Sequence, residues 1–294
     1  MRIKRSYGLI CCKKINNHVE MIMIKKSVTY HYCEFVLGKY HNPKKDASKK
    51  HLKLLFNNMT HSEKTDILTL NFSTMWYRIY VENPEKIITL KNADCKKWIT
   101  AYLRKKSKFE STFLRDGGRL LRELIKDSVN AELPWEYPKG HAELGEVPLE
   151  TAIREFGEET GIINGYKILM RIKPYIQTYT DFSITYQNIY YFAHVPDNAN
   201  VTPKYKFFNK TQVNEVADIK WVSKIKLQNM NLYERTLKRM CKMFNIVKKK
   251  YLNGIKKTIL NKQLNINIKD EHAVKSSCKH RRNTDRRARD CNTD

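Results

Sequence analysis

The residues from Gly140 to Ile162, GHAELGEVPLETAIREFGEETGI, decide how this chain is read. Pro148 suits the first turn of a helix and Gly161 the position just past its end, so the spacing predicts a helix between them. Leu149, Ala152, Ile153 and Phe156 recur at i, i+3, i+4 and i+7 and are expected to form its buried stripe. Glu155, Glu158 and Glu159 gather on a neighbouring face at i, i+3 and i+4. Three carboxylates in the C-terminal half of a short helix are doubly unfavourable. They repel one another, and the helix dipole already makes that end negative. A hard divalent cation, held by carboxylate oxygens and sharing phosphate oxygens with a substrate, resolves the conflict.

The plain alternative is an ordinary solvated acidic face. The wider spacing argues against it. Gly140, five residues, Glu146, seven residues, Arg154-Glu155, the apolar Phe156, one residue, Glu158-Glu159, one residue, Gly161 and the apolar Ile162 reproduce the Nudix box without a departure. On these residues the chain resembles the Nudix hydrolases. The resemblance implies an α/β fold, a Nudix α/β/α sandwich with a mixed sheet. It also implies metal-dependent hydrolysis of a pyrophosphate linkage in a nucleoside diphosphate joined to a further group. Mg²⁺ or Mn²⁺ would be held by Glu155 and Glu159, with Glu158 as a ligand or as the general base that activates water. Arg154 is expected to brace Glu146 or a catalytic carboxylate, a role that its fixed fork of donors suits. In the family the carbonyl at the start of the box often joins the metal shell, which points to Lys139 or Gly140. A carboxylate after the last loop often completes the site or serves as base. In NEVADIKWV (214–222) Glu215 is the first candidate and Asp218 the alternative.

Residues 5–13 and 19–26 read as two strands joined by the polar turn Ile15-Asn16-Asn17-His18. The apolar, aromatic stretch from Tyr30 to Tyr40 is expected to continue toward the core. A detour of roughly ninety residues then separates this opening from the box. Within it, 51–58, 62–70, 96–106 and 118–126 read as helices, with Leu52, Leu55 and Phe56 on one face and Leu120, Leu121, Leu124 and Ile125 on another. FSTMWYRIYVE (72–82) fits a strand or a helix. Strands are expected at 166–174 and 186–194, with Thr180-Asp181-Phe182 as the turn between them. Residues 232–247 form an amphipathic helix whose inner face is Leu232, Leu237, Met240, Cys241 and Phe244. The expected organisation is a Nudix domain of 1–41 and 130–246, a helical basic insertion of 42–129, and a basic C-terminal extension of 247–294.

The chain carries 56 basic against 30 acidic residues, a net charge of +26. Such a charge speaks of partners rather than fold. Nucleic acid comes first, an anionic membrane surface or a polyanionic small molecule second. A lysine-rich, A/T-biased codon usage accounts for part of it. The insertion holds 19 basic against 10 acidic residues. Its clusters Lys96-Lys97 and Arg104-Lys105-Lys106-Lys108 lie beside Trp98, Tyr102 and Phe109. Cations track phosphates and rings can stack bases, although for Trp76 and Trp98 the core of a helical subdomain is the preferred reading. From Asn245 onward there are 14 basic against 5 acidic residues. KHRRNTDRRARD (279–290) reads as disordered: an RNA-binding arm, a localisation signal or a solvated tail. Cys278, His280 and Cys291 lack the fourth ligand and regular spacing of a zinc site. Seven cysteines without a CxxC pair read as free thiols in a reducing compartment. The chain has no apolar run long enough for a membrane span, and MRIKRSYGLICCKK has too short an apolar run for a signal peptide. An intracellular site is expected.

A closer resemblance rests on YGLICCKK (7–14), LFNNMT (55–60), FSTMWYRIYVE (72–82) and WEYPKGH (135–141) together with the intact box. The set is similar to the mRNA-decapping Nudix proteins of large cytoplasmic DNA viruses, of the African swine fever virus type, over roughly residues 6–245. It implies capped mRNA as substrate, with release of the methylated guanosine diphosphate and a 5′-monophosphate RNA. It implies RNA binding by the insertion, no membrane partner, and a place in the host cytoplasm or the virion. Diphosphoinositol polyphosphates or dinucleoside polyphosphates are the alternative substrates. A non-catalytic RNA-binding Nudix protein is a third reading, which the intact carboxylates disfavour.

Overall fold

Alternation of apolar side chains builds the centre of the molecule. In strand β1 (Arg2–Ile15) Leu9 and Cys11 enter one core cluster while Ile10 and Cys12 enter another. In β2 (His18–Lys26) Ile22 joins the first cluster, and Met21 and Met23 join the second. The two strands pair antiparallel, with Cys12 opposite Met21. The computed structural model describes residues 2–15, 18–41, 43, 45–80, 96–181, 184–197, 199, 201–203, 215–230, 232, 234 and 236–255. The basic stretch 279–290 and Cys278, His280 and Cys291 lie outside the described residues, as do Asn16, Asn17 and Phe182 of the expected turns.

The sheet is mixed. β1 pairs in parallel with β7 (Ile184–His194), from Arg2 opposite Ile184 to Cys12 opposite His194. β6 (Tyr175–Asp181) pairs antiparallel with β7, and β8 (Val216–Val222) with β2. Short strands β3 (Trp135–Glu136), β4 (Lys139–Gly140) and β5 (Lys167–Ile168) join β2, β1 and β7. The box helix, Pro148–Thr160, covers one face through Ala152 and Phe156. A helix over 236–255 covers the other through Met240, Phe244, Val247 and Tyr251. This is the expected α/β/α sandwich. Two details differ from expectation. Only Lys167 and Ile168 of 166–174 are paired. The strand begins just after Pro174, which has no N–H to donate to a ladder, and it runs through Thr180 and Asp181 because pairing with β7 continues to Asp181 opposite Ile184. The last helix also runs past its expected end at 247, because Tyr251 is buried and its Oη shares a hydrogen bond of 2.8 Å with His194 Nδ1.

The helical body starts earlier than its expected entry at 42. After β2 the chain turns directly into α1 (Tyr30–Val36), capped by the Thr29 hydroxyl, which accepts the Tyr32 N–H at 3.1 Å. Tyr32, Phe35 and Val36 pack with Leu52, Leu55 and Phe56 of α2 (Asp46–Asn57) and with Phe72, Met75 and Trp76 of α4 (Phe72–Ile79). The ambiguous FSTMWYRI is thus helical, started by the Asn71 side chain, which accepts the Thr74 N–H at 2.9 Å. Between them lies α3 (His61–Thr69), and after them α5 (Lys96–Phe109), a π turn over Glu110–Leu114, and α6 (Arg119–Lys126). Tyr102 and Phe109 are buried and Trp98 packs against them. Trp76, Tyr102 and Phe109 are core, as preferred for Trp76, and Trp98 packs against that core partly buried. No helix among the described residues is long and apolar enough to cross a membrane.

Glu63 ties this body together. Its carboxylate accepts the Thr60 N–H at 2.8 Å in a capping box, the Thr29 N–H at 2.5 Å and the Thr29 hydroxyl at 3.0 Å. It is 1% exposed. Removing it leaves two buried caps without their acceptor, so Glu63→Ala should cost about 3 kcal/mol, read as a lower midpoint in chemical denaturation. An unchanged midpoint would show that the two caps are independent of it.

Candidate active site

Helix α7 (Pro148–Thr160) has the bounds its sequence dictates. Pro148 opens it, and Gly161 ends it with φ 70°, a left-handed conformation that glycine adopts without strain. Its buried stripe is rotated from the expected one. Ile153 is 36% exposed and Leu149 only partly buried, whereas Ala152, Phe156 and Glu159 face inward. Against the curved sheet the inward row is i, i+4, i+7, and it carries a carboxylate with it. Glu159 is 2% exposed.

Buried there, Glu159 accepts the backbone N–H of Lys139 at 2.8 Å and the Lys26 ammonium at 3.2 Å. Burial pushes its carboxyl up to about 7, against the pull of Lys26. Glu155 lies against Gly140, where an added Cβ would fall on its carboxylate. No other residue type leaves that space, which accounts for the first glycine of the box. Burial raises Glu155 to about 6, with Arg154 opposing. Glu158, on the outer edge of the same face, keeps 38% of its side chain exposed.

Arg154 organises this edge as its planar fork permits. Its Nε donates to Glu146 at 2.7 Å and Nη2 to the same carboxylate at 3.0 Å. Nη1 meets Glu155 at 3.0 Å and Glu158 at 2.9 Å. It therefore touches both partners weighed for it, Glu146 and the box carboxylates. The hydrogen bonds from Arg154 hold Glu146 down to about 2.

On the other side, Lys26 joins Glu159 to Glu215, whose carboxylate is 3.2 Å from Nζ. Glu215 is thus brought to the cluster. Asp218 instead lies on β8, paired with Lys220 and opposite Lys25. Burial disfavours the charge on Lys26, but Glu159, Glu136 and Glu215 outweigh it and raise its pKa. Behind these groups Lys139 Nζ donates to Glu136 at 2.7 Å and to Tyr30 Oη at 3.2 Å, and Tyr30 in turn donates to Glu136. Lys26, Glu136 and Tyr30 were not singled out in the sequence. Two signals were present: the basic end of β2, and a Glu and a Lys three apart in WEYPK.

Among the described residues no three acidic, His or Cys side chains converge as a ready-made metal cluster. Arg154 and Lys26 bridge the carboxylates instead, Arg154 joining Glu146, Glu155 and Glu158 and Lys26 joining Glu159 and Glu215. The donor set still fits a hard divalent cation: carboxylate oxygens on one helix face, Glu159 buried and Glu155 partly buried and both raised in pKa, set against a glycine backbone. Both raised carboxyls bind protons more tightly folded than unfolded. Metal-free protein therefore loses stability as pH climbs from 4.5 to about 7. A divalent ion must displace those protons, so Mn²⁺ should raise the melting temperature more at pH 8 than at pH 6. An equal or larger gain at pH 6, measured by differential scanning fluorimetry against an EDTA control, would contradict this.

Beyond the carboxylates, a cleft of about 570 Å³ lies between the helical body and the first residues of β1 and β7, lined among others by Lys4, Lys39, His51, Lys108 and Tyr186 and by Glu34, which pairs with Lys39. Lys4 precedes Gly8, the partner of Lys139, by four residues of β1, a separation of about 13 Å along a strand.

The NUDIX domain model matches residues 113–241, which hold the box and β8. β1 and β2 fall outside that match, which begins within the helical body. The mRNA-decapping protein g5R of African swine fever virus (isolate Warthog/Namibia/Wart80/1980) is 34% identical over 249 residues, which cover 81% of this chain and 90% of that protein. The protein of the same name from isolate Pig/Kenya/KEN-50/1950 is 33% identical over 231 residues, covering 75% and 85%. Among solved structures, the Ap4A hydrolase of C. elegans in a binary complex has a TM-score of 0.35 and 12% identity, over 81% of this chain and 96% of that one. The carboxylate helix with its glycine and arginine supports, the domain match and the identity to the viral proteins together make this chain a member of the Nudix family.

Proposed function

We propose that this protein is a Nudix hydrolase that removes the 5′ cap of mRNA in the host cytoplasm, releasing the methylated guanosine diphosphate and a 5′-monophosphate RNA. The identity over nine-tenths of a protein named for mRNA decapping carries the reading. The cleft supports it, since a cap is small and the RNA body supplies the phosphates that a basic cleft would track. A diphosphoinositol polyphosphate or a dinucleoside polyphosphate is the second reading, favoured by the same cleft, whose volume suits a compact polyanion.

Glu155, Glu159, Glu215 and the Gly140 carbonyl would hold the divalent cation, Mg²⁺ or Mn²⁺, with Glu158 as a further ligand or as the base. When bound, the cation supplies positive charge against the pyrophosphate and acidifies water. Arg154 keeps Glu155 and Glu158 oriented and anchors them to Glu146. Lys139 offers its N–H to Glu159 and fixes the entry of the box beneath the helix. In the role of base, Glu158, the most exposed carboxylate of the helix face, would take the proton of the attacking water as its oxygen bonds to phosphorus and the other phosphate leaves.

Glu158→Gln should lower kcat by about 10²- to 10⁴-fold while RNA affinity stays within twofold of wild type, measured by release of label from cap phosphates and by filter binding. Loss of binding along with turnover would contradict the separation of chemistry from RNA grip. Lys4→Glu combined with Lys39→Glu should weaken capped RNA binding by about tenfold and flatten the dependence of log affinity on log salt by about two units. An unchanged salt slope would remove the cleft from the RNA path.

A further inference from the structure

Lys26 stands between the buried Glu159 and the half-exposed Glu215, and both its ends are held. At its backbone the register between β2 and β8 shifts between Lys25 and Lys26. The Lys26 N–H donates to the Pro134 carbonyl at 3.0 Å, and the Ser27 N–H donates to the Glu215 carbonyl at 3.0 Å. At its tip, Nζ lies 3.2 Å from Glu159 and 3.2 Å from Glu215, with 15% of the side chain exposed. One ammonium thus joins a carboxylate of α7 to a carboxylate at the start of β8. Two carboxylates from distant segments, closed on one cation at hydrogen-bond distance, is the arrangement that a divalent ion would otherwise impose.

We propose that Lys26 is a positioning residue that serves as a fixed cation of the site, holding Glu159 and Glu215 together so that fewer divalent ions bind than the carboxylates would take without it. The inference rests on the metal-dependent reading above and concerns the number of ions rather than the substrate. Its logic is charge balance. A cation tethered to β2 stays in place at any metal concentration, keeps Glu215 near the box helix, and repels a second ion from the pair it bridges. The site is then ready for phosphate with fewer ions to recruit from solution.

The test is Mn²⁺ binding to the full chain without RNA, followed by the electron paramagnetic resonance signal of free Mn²⁺ and by calorimetry. Wild type is compared with Lys26→Met and Lys26→Arg. Lys26→Met should bind one Mn²⁺ more than wild type, or bind its weakest ion at least about tenfold more tightly, and Lys26→Arg should restore the wild-type count. Lys26→Gln keeps a hydrogen-bond donor for the two carboxylates without the charge. It carries the same expectation as Lys26→Met should that variant fail to fold. Equal counts and affinities in wild type and the uncharged variants overturn the role given to Lys26 while leaving the metal-dependent reading standing, as does weaker binding in those variants. An absence of bound Mn²⁺ in wild type and variants alike overturns both.

Discussion

The burial of one carboxylate shapes this site. Glu159 lies on the inward row of α7 with Ala152 and Phe156, so the packing that seats the helix on the sheet also drives a charge beneath it. A buried carboxylate is tolerated only with partners. It finds the Lys139 N–H and the Lys26 ammonium, and these two contacts fix the lead-in strand and the end of β2 relative to the helix. Glu155 then falls against Gly140 and Glu158 toward solvent, which gives three neighbouring carboxylates three different environments.

The same few residues connect the sheet to the helical body. Thr29 caps α1 only three residues after Lys26, and Glu63 of α3 holds that cap. Tyr30, the first residue of α1, reaches back to Glu136 and Lys139. The helical body is therefore anchored at the carboxylate cluster itself. The cleft between it and the first residues of β1 and β7 opens on the same strand that pairs with the start of the box.

Much of this was legible in the sequence, for physical reasons. Pro148 and Gly161 mark helix ends by backbone restriction alone, and the two opening strands announce themselves by alternation. The rotation of α7 was not legible. Ile153 matches a helical stripe as well as Glu159 does, and apolar periodicity cannot foresee that a lysine from another strand will make burial of the glutamate tolerable. The early start of the helical body was hidden as well, because Tyr32, Phe35 and Val36 are as apolar as a strand and only the Thr29 cap distinguishes them. The sequence ranked Glu215 ahead of Asp218 by its place before the strand, and the bridge to Lys26 is what brings it to the cluster while Asp218 pairs with Lys220. Tyr102 and Phe109 sit among lysines in the sequence, yet the helix turns the rings inward and leaves Arg104 outward.

The most direct measurement compares kcat/KM for release of the methylated guanosine diphosphate from capped RNAs of increasing length and from free cap dinucleotide, with a diphosphoinositol polyphosphate alongside. A cap enzyme that grips the RNA body through its basic cleft should gain efficiency with length until the cleft is filled, and should cleave long RNA far better than the free cap. Efficiency independent of length, or rapid cleavage of the inositol compound with the RNA cap left intact, would contradict that account.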